Sequence, residues 1–199
     1  MAKVKSNAIA ARLLAAAAIM ALPHLAPGAL AAAERPLHEG RIDEFRGKSL
    51  EQKVQLLVDR EEIRDLIATY AHRAANRQSM ADLFTDDGAF INRPDARTAA
   101  QEVRGRAALD AFFDGLGRQP QQPLPMIHNF LVSVDGDEAR ALSTIEVRVV
   151  HAGQVIDGIG YYRDRLRRVD GRWKFVERDC TFLSMIPMAT PAAKPSAPR

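Results

Sequence analysis

Two histidines in the C-terminal half are the side chains best suited to moving a proton. His128 sits in Met126-Ile127-His128-Asn129-Phe130, and His151 closes Val147-Arg148-Val149-Val150-His151. Imidazole changes charge near neutral pH, so one ring of a half-buried pair can accept a proton while the other donates one. Strand alternation groups Ala141, Ser143, Ile145, Val147, Val149 and His151 on one face, with Arg140, Glu146 and Arg148 on the other. The apolar face should be the covered one, which directs His151 inward near a strand end. His128 and His151 are therefore the candidate catalytic pair. Taken singly, each has an ordinary reading: His128 as a satisfied core or loop residue, His151 as an exposed turn residue.

Three oxygen-bearing side chains are candidates for holding a substrate. Tyr70 offers a phenol on a helix, though a core tyrosine uses the same position. Tyr162 and Asp164 share a strand face with Leu166. An inward Asp164 is a buried carboxylate in need of a partner, and Arg178 on the next strand can supply it. A paired structural aspartate is then the simpler role than a base of raised pKa. His72 lies two residues from Tyr70, so the two point in different directions on a helix, and His72 reads as a surface histidine.

Cys180 is the only cysteine, which excludes an internal disulfide and a Cys-rich metal site, and it reads as a small buried residue in the last strand. No His and acid spacing resembles a zinc site. There is no Gly-rich phosphate loop and no Ser-centred nucleophile motif. The chemistry expected is free of metal and of cofactor.

The elements that must position these groups change period along the chain. Ser49 and Gln52 have the spacing of a capping box, and apolar residues recur at helical intervals from Leu50 to Ala74, which predicts a helix over 49–75. A short helix follows over 79–84, closed by a turn at Thr85-Asp86-Asp87-Gly88. Residues 89–92 form a short strand and 93–97 a loop. Leu109, Phe112, Phe113 and Leu116 mark a helix over 105–117, and the three prolines of 119–125 mark a loop. Met126–Val134, Glu138–His151, Gln154–Val169 and Arg172–Met185 are β-rich, separated by Asp135-Gly136-Asp137, Ala152-Gly153 and Asp170-Gly171. Turns this short connect antiparallel strands. Helices followed by a meander indicate an α+β fold, with the helices on one face of a curved sheet.

The ends of the chain read differently. Lys3, Lys5 and Arg12 precede the apolar run Leu13–Leu22 and small residues up to Ala33, the order of a secretory signal peptide. Pro23, Pro27 and Gly28 cut the apolar run to roughly half of the ~20 residues that a membrane span requires. Residues 1–33 are expected to be cleaved, leaving a periplasmic or secreted protein with no membrane association. Those three basic residues account for the whole excess of 28 Lys plus Arg over 25 Asp plus Glu. The remaining chain has no net positive field, so nucleic acid is not an expected partner. Residues 34–48 read as an arm or linker, 49–186 as the folded domain and 187–199, rich in Pro and Ala, as a disordered tail.

Several stretches together resemble the SnoaL-like branch of the nuclear transport factor 2-like superfamily. They are Asp59-Arg60-Glu61-Glu62-Ile63-Arg64-Asp65-Leu66-Ile67 with Tyr70-Ala71, then Leu83-Phe84-Thr85-Asp86-Asp87, then Gly105-Arg106-Ala107-Ala108-Leu109. Tyr162, Asp164 and Leu166, followed by Val169-Asp170-Gly171-Arg172-Trp173-Lys174-Phe175, complete the set. The resemblance implies a cone of helices against a strongly curved sheet, enclosing a pocket. Relatives include scytalone dehydratase, ketosteroid isomerase and polyketide cyclases, and other members only bind ligands. His128 and His151 are similar in position to the two pocket histidines of the dehydratase. The resemblance thus implies a cofactor-free lyase or isomerase acting on a small apolar molecule. Its alternative is a catalytically silent binding domain, because Ala75 stands where active relatives carry a carboxylate. Family sheets commonly pair across their outer faces, so a homodimer is expected, built on apolar groups of the last strands such as Trp173, Phe175, Val176, Cys180 and Phe182.

Overall fold

A capping box starts the first helix. Ser49 Oγ accepts a hydrogen bond from the Gln52 backbone N–H (3.2 Å), and Gln52 Oε1 accepts one from Ser49 N–H (2.9 Å). Helix α1, Leu50–Ala75, follows and buries Leu56, Asp59, Arg60, Ile63, Ile67 and Tyr70, one stripe at helical spacing. It ends where Arg77 takes the left-handed conformation (φ 59°) and Gln78 N–H bonds back to Arg73 O at 2.9 Å. The computed structural model describes residues 44–94, 98–151 (His151 by its backbone only) and 154–188. The expected signal segment, most of the expected arm and all of the expected tail beyond Met188 lie outside the described residues, whereas Pro187 ends the last strand.

After a single turn of 3₁₀-helix at Ala81–Leu83, strand β1 runs over Phe84–Arg93. The expected turn at 85–88 is instead part of this strand, as a bulge. Phe84 pairs with Phe175 and Ala89 with Glu177, so the chain loops out between them. Gly88 makes this possible, because a Cβ there would lie 2.9 Å from Thr85 O and 3.1 Å from Phe175 O. Strand β2, Gln101–Arg104, pairs with β1, and helix α2, Arg106–Gly117, buries Leu109 and Phe113.

Four long strands follow: β3 Gln122–Asp135, β4 Glu138–His151, β5 Gln154–Val169 and β6 Arg172–Pro187. The sheet order is β2-β1-β6-β5-β4-β3. The four form the expected antiparallel meander, and β1 joins β6 in parallel. The expected loop at 119–125 is shorter than anticipated, for β3 begins at Gln122 and includes Pro123 and Pro125. Both prolines are tolerated because β3 is an edge strand.

Helices α1 and α2 cover the inner face of the curved, unclosed sheet. On β4, Ala141, Ser143, Ile145 and Val147 are buried and Arg140, Thr144, Glu146 and Arg148 exposed, the alternation the sequence carries. At one end of the fold the Arg168 guanidinium lies over the Trp173 ring (4.5 Å) and pairs with Glu62 (3.4 Å), Asp137 (3.2 Å) and Asp59. Glu44, at the end of the expected arm, pairs with Arg60 and accepts a hydrogen bond from Val134 N–H at 3.2 Å.

Candidate functional site

A cavity of about 250 Å³ lies between α1, α2 and the inner face of the sheet. Its inner end is formed by Tyr70, Tyr162 and Cys180, all buried. Its outer end is marked by the exposed Arg77 and Gln78 at the foot of α1, with Gln119 and Gln121 opposite. Apart from Asn92 of β1, the walls between them are apolar: Phe113 and Leu116 from α2, Val147 and Val149 from β4, Phe182 and Met185 from β6. No described residue lining the cavity is a histidine, an aspartate or a glutamate.

Behind the tyrosines lies an ion pair. Asp164 and Arg178 face each other across β5 and β6, with Arg178 Nη1 donating to Asp164 Oδ2 at 2.8 Å. Both side chains are fully buried, as the pairing expected from the sequence requires. The guanidinium carbon lies 3.7 Å from the Tyr162 ring centre, 4.2 Å from that of Tyr70 and 4.6 Å from that of Phe175. Cation–π attraction therefore fixes both tyrosines against one charge. Neither Asp164 nor Arg178 lines the cavity, and Asp164 Oδ1, Arg178 Nε and Nη2, and the nearby Ser143 Oγ have no hydrogen-bond partner.

Burial governs the proton affinities here. It pushes the Asp164 carboxyl up to about 7, with the Arg178 charge pulling the other way. Burial likewise pushes the Cys180 thiol up to about 12, again opposed by Arg178. The phenols of Tyr70 and Tyr162 are both raised by burial. At neutral pH the inner end thus presents two neutral phenols and a protonated thiol. These are hydrogen-bond donors, not nucleophiles or bases.

Of the residues singled out in the sequence, Tyr70 and Tyr162 line the cavity together, their ring centres 6.2 Å apart. Asp164 stands behind them, so the structure places it as a support and not at the cavity wall. His128 is exposed, pairs across the strands with the exposed Thr144 and does not reach the cavity. A bulge between His128 and Leu131, with Asn129 at φ 53°, turns it to the outer face. His151 ends β4 opposite Gln154, and its side chain lies outside the described residues. Ala75 lines a second groove, between α1 and β3, which also holds the exposed His72. Ala74 is the neighbour that faces the cavity. Gln121 was hidden in the presumed loop. Its signal was the alternation of Gln119, Gln121, Pro123 and Pro125, each of which lines the cavity.

Solved structures share this architecture. An NTF2-like protein with a cystatin-like fold from Novosphingobium aromaticivorans is 28% identical over 68% of this chain and 88% of its own, with a TM-score of 0.55. A protein of the same organism proposed to be a scytalone dehydratase is 20% identical, covering 74% and 99%, at a TM-score of 0.59. A hexachlorocyclohexane dehydrochlorinase, LinA type 2, is 21% identical, covering 73% and 99%, at 0.57. The last two likenesses are of fold alone. No curated protein matches the sequence. The model of the SnoaL-like domain matches residues 55–179, and the chain belongs to that family.

Proposed function

We propose that this domain binds a small, largely apolar molecule in the cavity beside Tyr70 and Tyr162. One observation carries this: a largely apolar cavity with hydrogen-bond donors at its inner end and no histidine, aspartate or glutamate among its described lining residues. Such a site removes apolar surface from water and orients the ligand by a few polar contacts. The test is to fill the cavity. The Ala74→Trp protein should fold and lose any compound that co-purifies with wild type, identified by solvent extraction and mass spectrometry. Equal retention of the compound by both proteins would sink the proposal.

A second function, a cofactor-free lyase or isomerase, is favoured by one feature of β4. Ile145, Val147 and Val149 line the cavity, and His151 continues their alternation in the sequence. The dehydrochlorinase and the proposed dehydratase of similar fold bear names that denote eliminations. In this version His151 exchanges the proton, Tyr162 holds the oxygen, and His128 contributes only if it leaves its outward position. Deuterium uptake at the carbon beside a ketone, followed by NMR, should then fall about a hundredfold or more in His151→Ala. Exchange that is absent in wild type leaves the binding function alone.

Two further proposals concern the whole chain. The basic, apolar and small-residue order of residues 1–33 supports export of the domain. A homodimer is supported by a different residue set from the one expected. Trp173, Phe175 and Cys180 belong to the core and Phe182 lines the cavity, whereas Ile159, Leu183 and Ile186 are more than half exposed at neighbouring positions of β5 and β6.

A further inference from the structure

Gln121 sits just ahead of β3, at the outer end of the cavity. The chain around it is held on both sides. Arg77 Nη2 donates to Pro120 O (3.2 Å), Gln122 Nε2 donates to Ala75 O (3.4 Å), and Pro120 and Pro123 restrict the backbone. Its side-chain oxygen is shut from solvent and accepts no hydrogen bond, although the residue lines the cavity. Once a rotation of the amide turns it to the cavity, an acceptor left in this state favours a ligand that brings a donor to it.

The opposite end offers the reverse chemistry. The raised phenols of Tyr70 and Tyr162 stay protonated and donate, so they suit a carbonyl or ether oxygen. From Ile145 to Val149, which line the wall between the two ends, four residues of strand span roughly 13 Å. The cavity volume of about 250 Å³ over such a length makes a slot about one aromatic ring wide. We propose that Gln121 is a specificity-determining residue: its carbonyl reads a hydrogen-bond donor on the outer end of an elongated one-ring molecule whose inner end carries an acceptor oxygen. This rests on the cavity being the binding site and adds which ligand it prefers.

Three compounds test it: para-hydroxybenzylacetone, benzylacetone and para-methoxybenzylacetone, with affinities measured by calorimetry. The hydroxyl compound can donate at its outer end, the methoxy compound can only accept there, and benzylacetone can do neither. Wild type should bind the hydroxyl compound about tenfold or more tighter than the other two. Gln121→Leu should erase that preference, whatever it does to the affinity for benzylacetone itself. Gln121→Glu, which keeps an acceptor, should retain the preference, and Tyr162→Phe should weaken all three and preserve their ratio. Melting curves report whether each variant is folded, and Gln121→Met, which also removes the acceptor, takes the place of Gln121→Leu if that variant unfolds. Equal affinity of wild type for the three, or a hydroxyl preference that survives in Gln121→Leu, overturns it. Failure of all three to bind overturns this ligand class, while the Ala74→Trp experiment still decides separately whether the cavity is a site.

Discussion

Asp164 and Arg178 form a buried pair that two tyrosines lean on, so its removal should be felt in stability and in the cavity together. Losing one partner strands a charge in the core. At pH 8, where the pair is ionised, Asp164→Ala or Arg178→Met alone should cost about 3–5 kcal/mol in urea unfolding. The double variant Asp164→Leu/Arg178→Met should recover most of that, since two apolar side chains have no charge to bury. It should still bind ligand less well, because the tyrosines lose the cation that fixes their rings.

The pH dependence has a definite sign. The folded state holds the Asp164 proton more tightly than the unfolded chain does, with burial moving the carboxyl from 3.8 to about 7. Its contribution is therefore complete below about pH 4 and is lost as pH rises through 7. Asp164→Asn should flatten that part of the stability curve. A slope between pH 4 and 7 identical in wild type and variant would show that the carboxyl ionises freely. At this scale the sequence was legible where strand alternation held. It placed Asp164 beside Arg178 and Tyr162 on the covered face. The pocket position of His128 came from the family resemblance and not from alternation; a count back from the buried Val132 in steps of two would also put 128 inside, and the bulge shifts that count by one.

Two glycines of β5 show how backbone crowding shapes the site. A Cβ at Gly158 would meet the Met185 side chain and, at 2.9 Å, Val147 Cγ1. A methionine can yield, and the space into which it yields is the cavity. Gly158→Ala should therefore fold and lose ligand affinity. A Cβ at Gly160 would meet Thr181 O and, at 3.0 Å, Phe182 Cα, which are backbone and cannot step aside. Gly160→Ala should lose about 1–3 kcal/mol of stability, the range of an overpacked core. Similar melting points for the two variants would contradict this contrast. Helix α1 and the four long strands were readable because each carries its period over many residues. The early start of β1 was not, since Thr85-Asp86-Asp87-Gly88 has the composition of a turn, and only its parallel partner β6, some ninety residues later, draws it into the sheet.

For the whole molecule, the two proposals of export and pairing have physical readouts. The periplasmic or secreted product should have a mass lower than the 21.9 kDa of the full chain by residues 1–33. Recovery of the full-length mass in the membrane fraction would refute cleavage. A homodimer across Ile159, Leu183 and Ile186 should dissociate when Leu183→Glu is combined with Ile186→Lys, because each charge would have to be buried at the interface. Sedimentation of wild type as a monomer at tens of micromolar would rule the dimer out.

The parallel pairing of β1 with β6 has a consequence for how the protein comes into being. β6 is the last of the described strands to be synthesised, yet it occupies the middle of the sheet, between β1 and β5. Until it is made, β1 and β5 present open edges to the surroundings, and no local contact can stand in for the missing strand. The nascent chain is thus held back from its native topology until β6 has been made. That is a hazard if it lingers in a crowded compartment, since open strand edges invite aggregation. If the domain is exported, as proposed above, the same strand order would help a polypeptide that is threaded unfolded through a translocation pore, because it delays folding.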